Sequence, residues 1–346
     1  MPFASLFSNV AARLFGSTAP GDIAAAEPEL VKTAIEAIVD AVDPRLRTVS
    51  GYQRSIGPGV GCTIAHLRSM AANLPEPIMI ARGAWGSDAL LNALFATAND
   101  VPALLGASAE LRSYFERTSA DDACVLLGMQ KTERSVFAPA IVDGVLRQDI
   151  AQTTVSFSKH RLVAPAANFI DCRREVGTLI LRRLAELALA RITALAERVT
   201  GLEQRKGMLA AKLRMLNLRR NGLGQMANGT ADVAGEIAAI ERELKSTVDE
   251  YVETKTSQAT LTTRIDHINA IFNAPAEHVS LAHVALRVNK MGYKVEANTS
   301  EPAADLSLHE LSIGNGLKAV IAFVRCRREE LPPRESLLTR AARAGL

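Results

Sequence analysis

Residues 181–216, LRRLAELALARITALAERVTGLEQRKGMLAAKLRML, set Leu181, Ala185, Ala188, Ile192, Leu195, Val199, Leu202, Lys206, Leu209, Leu213 and Leu216 at alternating steps of four and three. Residues 233–272, VAGEIAAIERELKSTVDEYVETKTSQATLTTRIDHINAIF, repeat the stepping through Val233, Ile237, Ile240, Leu244, Thr247, Tyr251, Thr254, Gln258, Leu261, Ile265, Ile268 and Phe272. Apolar a and d positions sustained over this many heptads specify a coiled coil. Asn221-Gly222-Leu223-Gly224 interrupts the pattern between the two runs. Folding the chain back at residue 225 pairs 216 with 233, 209 with 240, 202 with 247, 195 with 254 and 188 with 261. Both seams then stay in register, and the expected element is an antiparallel hairpin. A first helix of about 46 residues reaches roughly 70 Å at 1.5 Å per residue.

The ends of the two helices carry the residues that helix termini need. Asn168 and Asp171 suit the start of the first, and Arg219 and Arg220 fall in its last turn, where cations favour the helix dipole. Asp232 and Glu236 open the second, and Asn273-Ala274-Pro275 closes it.

Working outward, the N-terminal flank reads as helical. Helices are expected over 29–42, 63–73, 87–98 and 101–117, with Leu74-Pro75-Glu76-Pro77 as a break. The period changes to two after Ala123. Strands are expected over 123–129, 136–142 and 150–163, with a turn at Asp143-Gly144, and after the hairpin over 279–288, 306–313 and 317–326. Gly314-Asn315-Gly316 is the strongest short β-hairpin signal. Ala319, Ile321 and Phe323 alternate with Val320, Ala322 and Val324, so the last strand is apolar on both faces and belongs in the middle of a sheet.

The expected fold is α+β: a helical N-terminal layer and a mostly antiparallel sheet, with a long inserted antiparallel coiled-coil hairpin. The expected parts are an amphipathic segment at 1–20, a helical region at 21–120, a sheet formed by 121–167 and 274–330, the hairpin at 168–273, and a basic tail at 331–346.

Composition narrows the classes. The chain of 346 residues is 48% hydrophobic with a formal charge of +3, close to the globular average and too weakly basic to imply nucleic acid by itself. No apolar run approaches the ~18 residues of a membrane-spanning helix. Cys62, Cys124, Cys172 and Cys326 are widely spaced, which argues against a zinc site or a disulfide framework and for a reducing cytoplasm. The six histidines are dispersed. Gly57-Pro58-Gly59-Val60-Gly61-Cys62-Thr63 has the glycines of a phosphate loop without its lysine or a preceding strand, so a tight turn is expected there. No catalytic residues, metal site, cofactor or small-molecule substrate are identified.

Two features point to contacts with other molecules. Phe3, Leu6, Phe7, Val10 and Leu14 share one helical face, fitting either a helix docked on its own domain or an anchor for a partner or membrane surface. In the hairpin, residues 172–220 hold twelve Lys/Arg and four Glu, whereas residues 230–273 hold eight Asp/Glu and four Lys/Arg. Charge matching between the helices absorbs about half of the basic excess. Arg219 and Arg220 at the tip remain as candidate partner-binding residues. The expected function is a structural or adaptor role through protein–protein contacts, with a protein partner or a homo-oligomer, in the cytoplasm or peripheral at a membrane. The alternatives are association with nucleic acid or an anionic membrane surface through the basic helix and the N-terminal segment, and an enzyme with its site between the helical region and the sheet.

Overall fold

The computed structural model describes residues 23–72, 74–142, 145–221, 230–258, 260–289, 291–295, 302–314 and 316–333. The chain begins with α1 (Ile23–Val42) and α2 (Tyr52–Ala72), joined through a 3-10 turn at Pro44–Thr48. The short strand β1 (Ile78–Met79) and the helices α3 (Ala89–Leu94), α4 (Asp100–Ala107) and α5 (Ala109–Arg117) follow. Asp88 caps α3 by accepting from the amides of Leu90 and Leu91, and Ser108 caps α5 by accepting from Leu111. Next come β2 (Asp122–Val142), β3 (Val145–Ala166), α6 (Phe169–Asn221), α7 (Thr230–Gln258) and α8 (Leu261–Phe272). The one-turn helix α9 (Pro275–His278) leads into β4 (Val279–Val288), β5 (Ala304–Ile313) and β6 (Leu317–Arg327). The fold is α+β with a mostly antiparallel sheet.

The sheet order is β3-β2-β6-β5-β4. β6 is central, as its two apolar faces require. Its residues Val320 to Arg327 pair with β2, and Leu317 to Ile321 pair with β5. The edge that β5 leaves open is covered by β1, the only parallel pairing among the described strands, with Ile78 beside Val324. β5 and β6 meet at the pair Ile313–Leu317, flanking Gly314 with φ of 56°. The central Asn315 of that turn lies outside the described residues, as does the Asp143-Gly144 turn between β2 and β3.

Each face of the sheet carries its own core, with helices of the N-terminal region packed on both. On one face Ile321 and Phe323 of β6, with Cys124 and Leu126 of β2, pack against α1, α2, α8 and the base of α6. On the other, Val320, Ala322 and Val324, with Val125 and Leu127, pack against α3, α4 and α5 through Leu91, Phe95, Leu105 and Phe115. Burying each such side chain is worth about 1.5–3 kcal/mol, so the two cores dominate the stability of the sheet.

Three expectations need correction. The segments 123–129 and 136–142 belong to one strand, because the polar stretch Lys131 to Ser135 keeps its ladder with β3, from Lys131–Phe157 to Ser135–Thr153. Residues 57–63 make no turn; they lie inside α2. Three glycines and Pro58 are poor helix formers, but here tertiary contact decides. Gly59 sits so close to the end of α8 that an added Cβ would lie 3.3 Å from the backbone of Asn273 and of Phe272. Thr63 Oγ1 donates to Phe272 O at 2.8 Å in the same contact.

The third correction concerns the second seam, which is carried by two helices. α8 restarts at Thr260, whose hydroxyl accepts from the Thr263 amide at 3.1 Å. Threonines offer the backbone this alternative to a continuous helix. The base of the helix pair is shared with the sheet. Leu181, Leu184, Ala185, Ala188 and Ile192 of α6, with Ile265, Ile268 and Phe272 of α8, are part of the main core.

Candidate interaction surface on the helix pair

Above Ile192, α6 and α7 run side by side. Arg198 pairs with Glu250 at 2.6 Å, Arg205 with Glu243 at 2.7 Å and Lys212 with Glu236 at 3.3 Å. The α7 number falls as the α6 number rises, and each pair adds to 448, so the helices are antiparallel and within one residue of the expected register. All six residues precede a seam position by one, the flanking site where charges set partner and orientation. Between the helices Leu216, Ile237 and Ile240 are buried, with Leu209, Leu213 and Val233 packed on them. Lys206, the charged seam residue, places its ammonium over the Tyr251 ring at 4.5 Å. That gives its stem cover and its charge a partner. Residues 222–229, between the two helices in sequence, lie outside the described residues.

The distal end of α6 bears more than its seam requires. Met208, Met215 and Leu218 are 72%, 72% and 75% exposed, and Ala211 between them is exposed too. Their steps of three, four and three draw a second apolar stripe, facing away from α7. Arg219 and Arg220 are exposed in the last turn of α6. Together with Arg214 they make no ion pair among the described residues. The stripe was legible in the spacing, but its exposure was not. The other candidate contact residues, Phe3, Leu6, Phe7, Val10 and Leu14, lie outside the described residues.

Elsewhere the fold assembles groups that are far apart in sequence. Register brings His283 of β4 opposite His309 of β5, with ring centroids 5.5 Å apart and His283 Nε2 2.9 Å from Ser307 Oγ. Burial, then the neighbouring His283, lowers the pKa of His309. No third ligand completes a metal site with them among the described residues. Cys124 and Cys172 also come together as free thiols. The Cys124 sulfur and burial hold the Cys172 thiol up, while its own thiol is spent on Ala164 O at 3.3 Å. Both sulfurs are buried, as those of structural cysteines are.

Asp43 is buried where the 3-10 turn meets α8, accepting from Arg45 and Arg264. Burial alone raises its pKa; the arginine hydrogen bonds outweigh that and hold the carboxyl below its ordinary range. Glu36 is treated similarly, by burial against hydrogen bonds from Tyr52, Gln53 and Arg47. These clusters tie α1, α2 and α8 together, and each of their carboxylates is spent on structure.

The space between helices and sheet is small. The apolar cleft among Leu67, Met70, Val176, Leu281, Leu311 and Phe323 leaves about 30 Å³, room for a water or two. A wider groove of about 920 Å³ opens between α5 and the base of α6. Its guanidiniums and carboxylates alternate, Arg174 meeting Asp171 at 2.5 Å. No helix of the described residues is long and apolar enough to cross a membrane. Comparison with known protein families, with characterised proteins and with solved structures brings out no match.

Proposed function

We propose that this protein is a structural or adaptor protein that works through protein–protein contacts at the far end of its helix pair. The observation that carries the reading is the surplus at that end: three large apolar side chains more than 70% exposed, beside three arginines without an ion pair among the described residues. The pair's own stability uses the inward seam and the three cross-helix ion pairs. Exposed methionines adapt to varied partner surfaces, and arginines are frequent interface anchors. An arm anchored in the main core at its base suits reaching a partner better than enclosing a small substrate. A reducing cytoplasm is the setting we infer, supported by four cysteines that all remain free thiols.

The test is photo-cross-linking in the native cell, with the reactive residue at Met215 or, as a control, at Ser246 on the exposed outer side of α7. Adducts with another polypeptide should form from 215, be absent from 246, and be lost when Arg219→Gln and Arg220→Gln are added. Equal adducts from both positions, or none from 215, would refute the adaptor reading.

A further inference from the structure

We infer that the outward stripe of α6 receives an acidic amphipathic helix of another protein, laid along Met208, Ala211, Met215 and Leu218 as a third strand of the coiled coil. This rests on the adaptor reading above and specifies the chemistry of the partner. The stripe has the three-four-three spacing of a coiled-coil seam, displaced around the helix from the seam that α7 occupies. Its four residues span about 15 Å at 1.5 Å per residue, three turns of helix. A partner helix with a matching stripe therefore finds holes at the spacing of its own knobs.

Charge selects among possible occupants. From Gln204 to Asn221 the helix carries Arg205, Lys206, Lys212, Arg214, Arg219 and Arg220 and no carboxylate. Arg205 and Lys212 are engaged by Glu243 and Glu236, and Lys206 lies on Tyr251. At about 100° per residue, Arg214 falls on one side of the stripe and Arg219 on the other; both are exposed and, among the described residues, without an ion pair. A second copy docked stripe to stripe, in either direction, would set these cations against one another with no acid to separate them. A helix with glutamates or aspartates flanking its apolar stripe instead supplies acceptors for both guanidiniums, which take carboxylates in forked pairs. The stripe also lacks the aromatic residues that anchor interfacial helices in lipid.

The test uses the full chain and fluorescent 21-residue helical peptides sharing one leucine stripe, flanked by glutamate in one and by lysine in the other. Vesicles of phosphatidylserine and phosphatidylcholine provide the lipid arm, and light scattering reports the oligomeric state. The glutamate peptide should bind at least tenfold tighter than the lysine peptide. The triple variant Met208→Gln, Met215→Gln, Leu218→Gln should weaken it at least tenfold with an unchanged melting temperature. Arg214→Gln with Arg219→Gln should remove the preference for glutamate and most of the salt dependence. Equal binding of both peptides, or binding of neither, overturns the inference. So does a dimer, or vesicle binding, that the triple variant abolishes, because the stripe would then belong to a second copy or to lipid. If the glutamate peptide binds as stated but cross-links from Met215 are absent in cells, the adaptor reading fails while the preference of the surface stands.

Discussion

Replacing Gly59 by alanine and, separately, Gly61 by alanine makes the same chemical change two residues apart in α2, yet only the second should stabilise the protein. In a helix interior alanine is better than glycine by roughly 0.5–1 kcal/mol, through the smaller loss of backbone entropy. At Gly61 nothing lies within 4 Å of the added Cβ, so that gain should appear in full. At Gly59 the Cβ would stand 2.6 Å from Asn273 Oδ1 and 3.3 Å from both Asn273 N and Phe272 C. The amide oxygen can swing away, but the two backbone atoms can yield only by shifting the end of α8. The Thr63 hydroxyl and the Cys62 thiol hold that same backbone through Phe272 O and Asn273 O. Overpacking of this kind costs about 1–3 kcal/mol, so Gly59→Ala should be neutral to destabilising by about 2 kcal/mol. The two variants should differ by about 1–3 kcal/mol, or several degrees in melting temperature for a chain of this size. Urea unfolding followed by circular dichroism, with heating as a second measure, checks the sign. Equal stabilisation by both substitutions would mean that α2 does not rest on α8 as described.

Gly314→Ala should destabilise the β5–β6 turn, since φ is 56° and the Cβ would meet Leu187 Cδ1 at 2.9 Å; adding Leu187→Ala should recover part of the loss, and strict additivity in a double-mutant cycle would remove that contact from the account. Acid should act in two steps. The folded pKa of His309 is below its ordinary 6.5, so its contribution is present above pH 6.5 and lost as pH falls through the folded value; His309→Phe should remove this step. The folded pKa values of Asp43 and Glu36 are also depressed, so their contributions are present above about pH 4.5 and lost at lower pH; Asp43→Asn with Glu36→Gln should flatten this second limb, and urea midpoints between pH 8 and 3 measure both. Glu243→Lys should raise amide exchange in 205–216 and 236–247 while leaving the global melting temperature within a degree or two, because the distal seam is a small cluster apart from the main cores. Uniform loss of protection across the sheet would contradict that separation.

The parts of the fold legible in the sequence are those written in local period. The first heptad seam and the two apolar faces of β6 are written in their own spacing, and β6 sits in the middle of the sheet where that spacing put it. What the sequence conceals depends on residues far along the chain. The glycine run of α2 makes sense only against Phe272 and Asn273, more than two hundred positions away. The polar centre of β2 stays extended because β3 satisfies its backbone. His283 with His309, and Cys124 with Cys172, become neighbours only through strand register and the docking of α6 on the sheet. At the candidate surface Arg219 and Arg220 were legible as surplus charge. Met208, Met215 and Leu218 share a spacing off the seam, but their exposure shows only in the fold.

The two rails of the helix pair differ in continuity, and this has a mechanical consequence. α6 passes unbroken from the core to the tip over 53 residues, about 80 Å. The return path is made of two helices, α7 ending at Gln258 and α8 beginning at Leu261. Under a lateral load at its far end, α6 would bend as one continuous beam held at its base. Strain applied by a bound partner would therefore reach the sheet mainly through the buried face of α6 around Leu184 and Ala188, where Leu187 rests on the turn at Gly314.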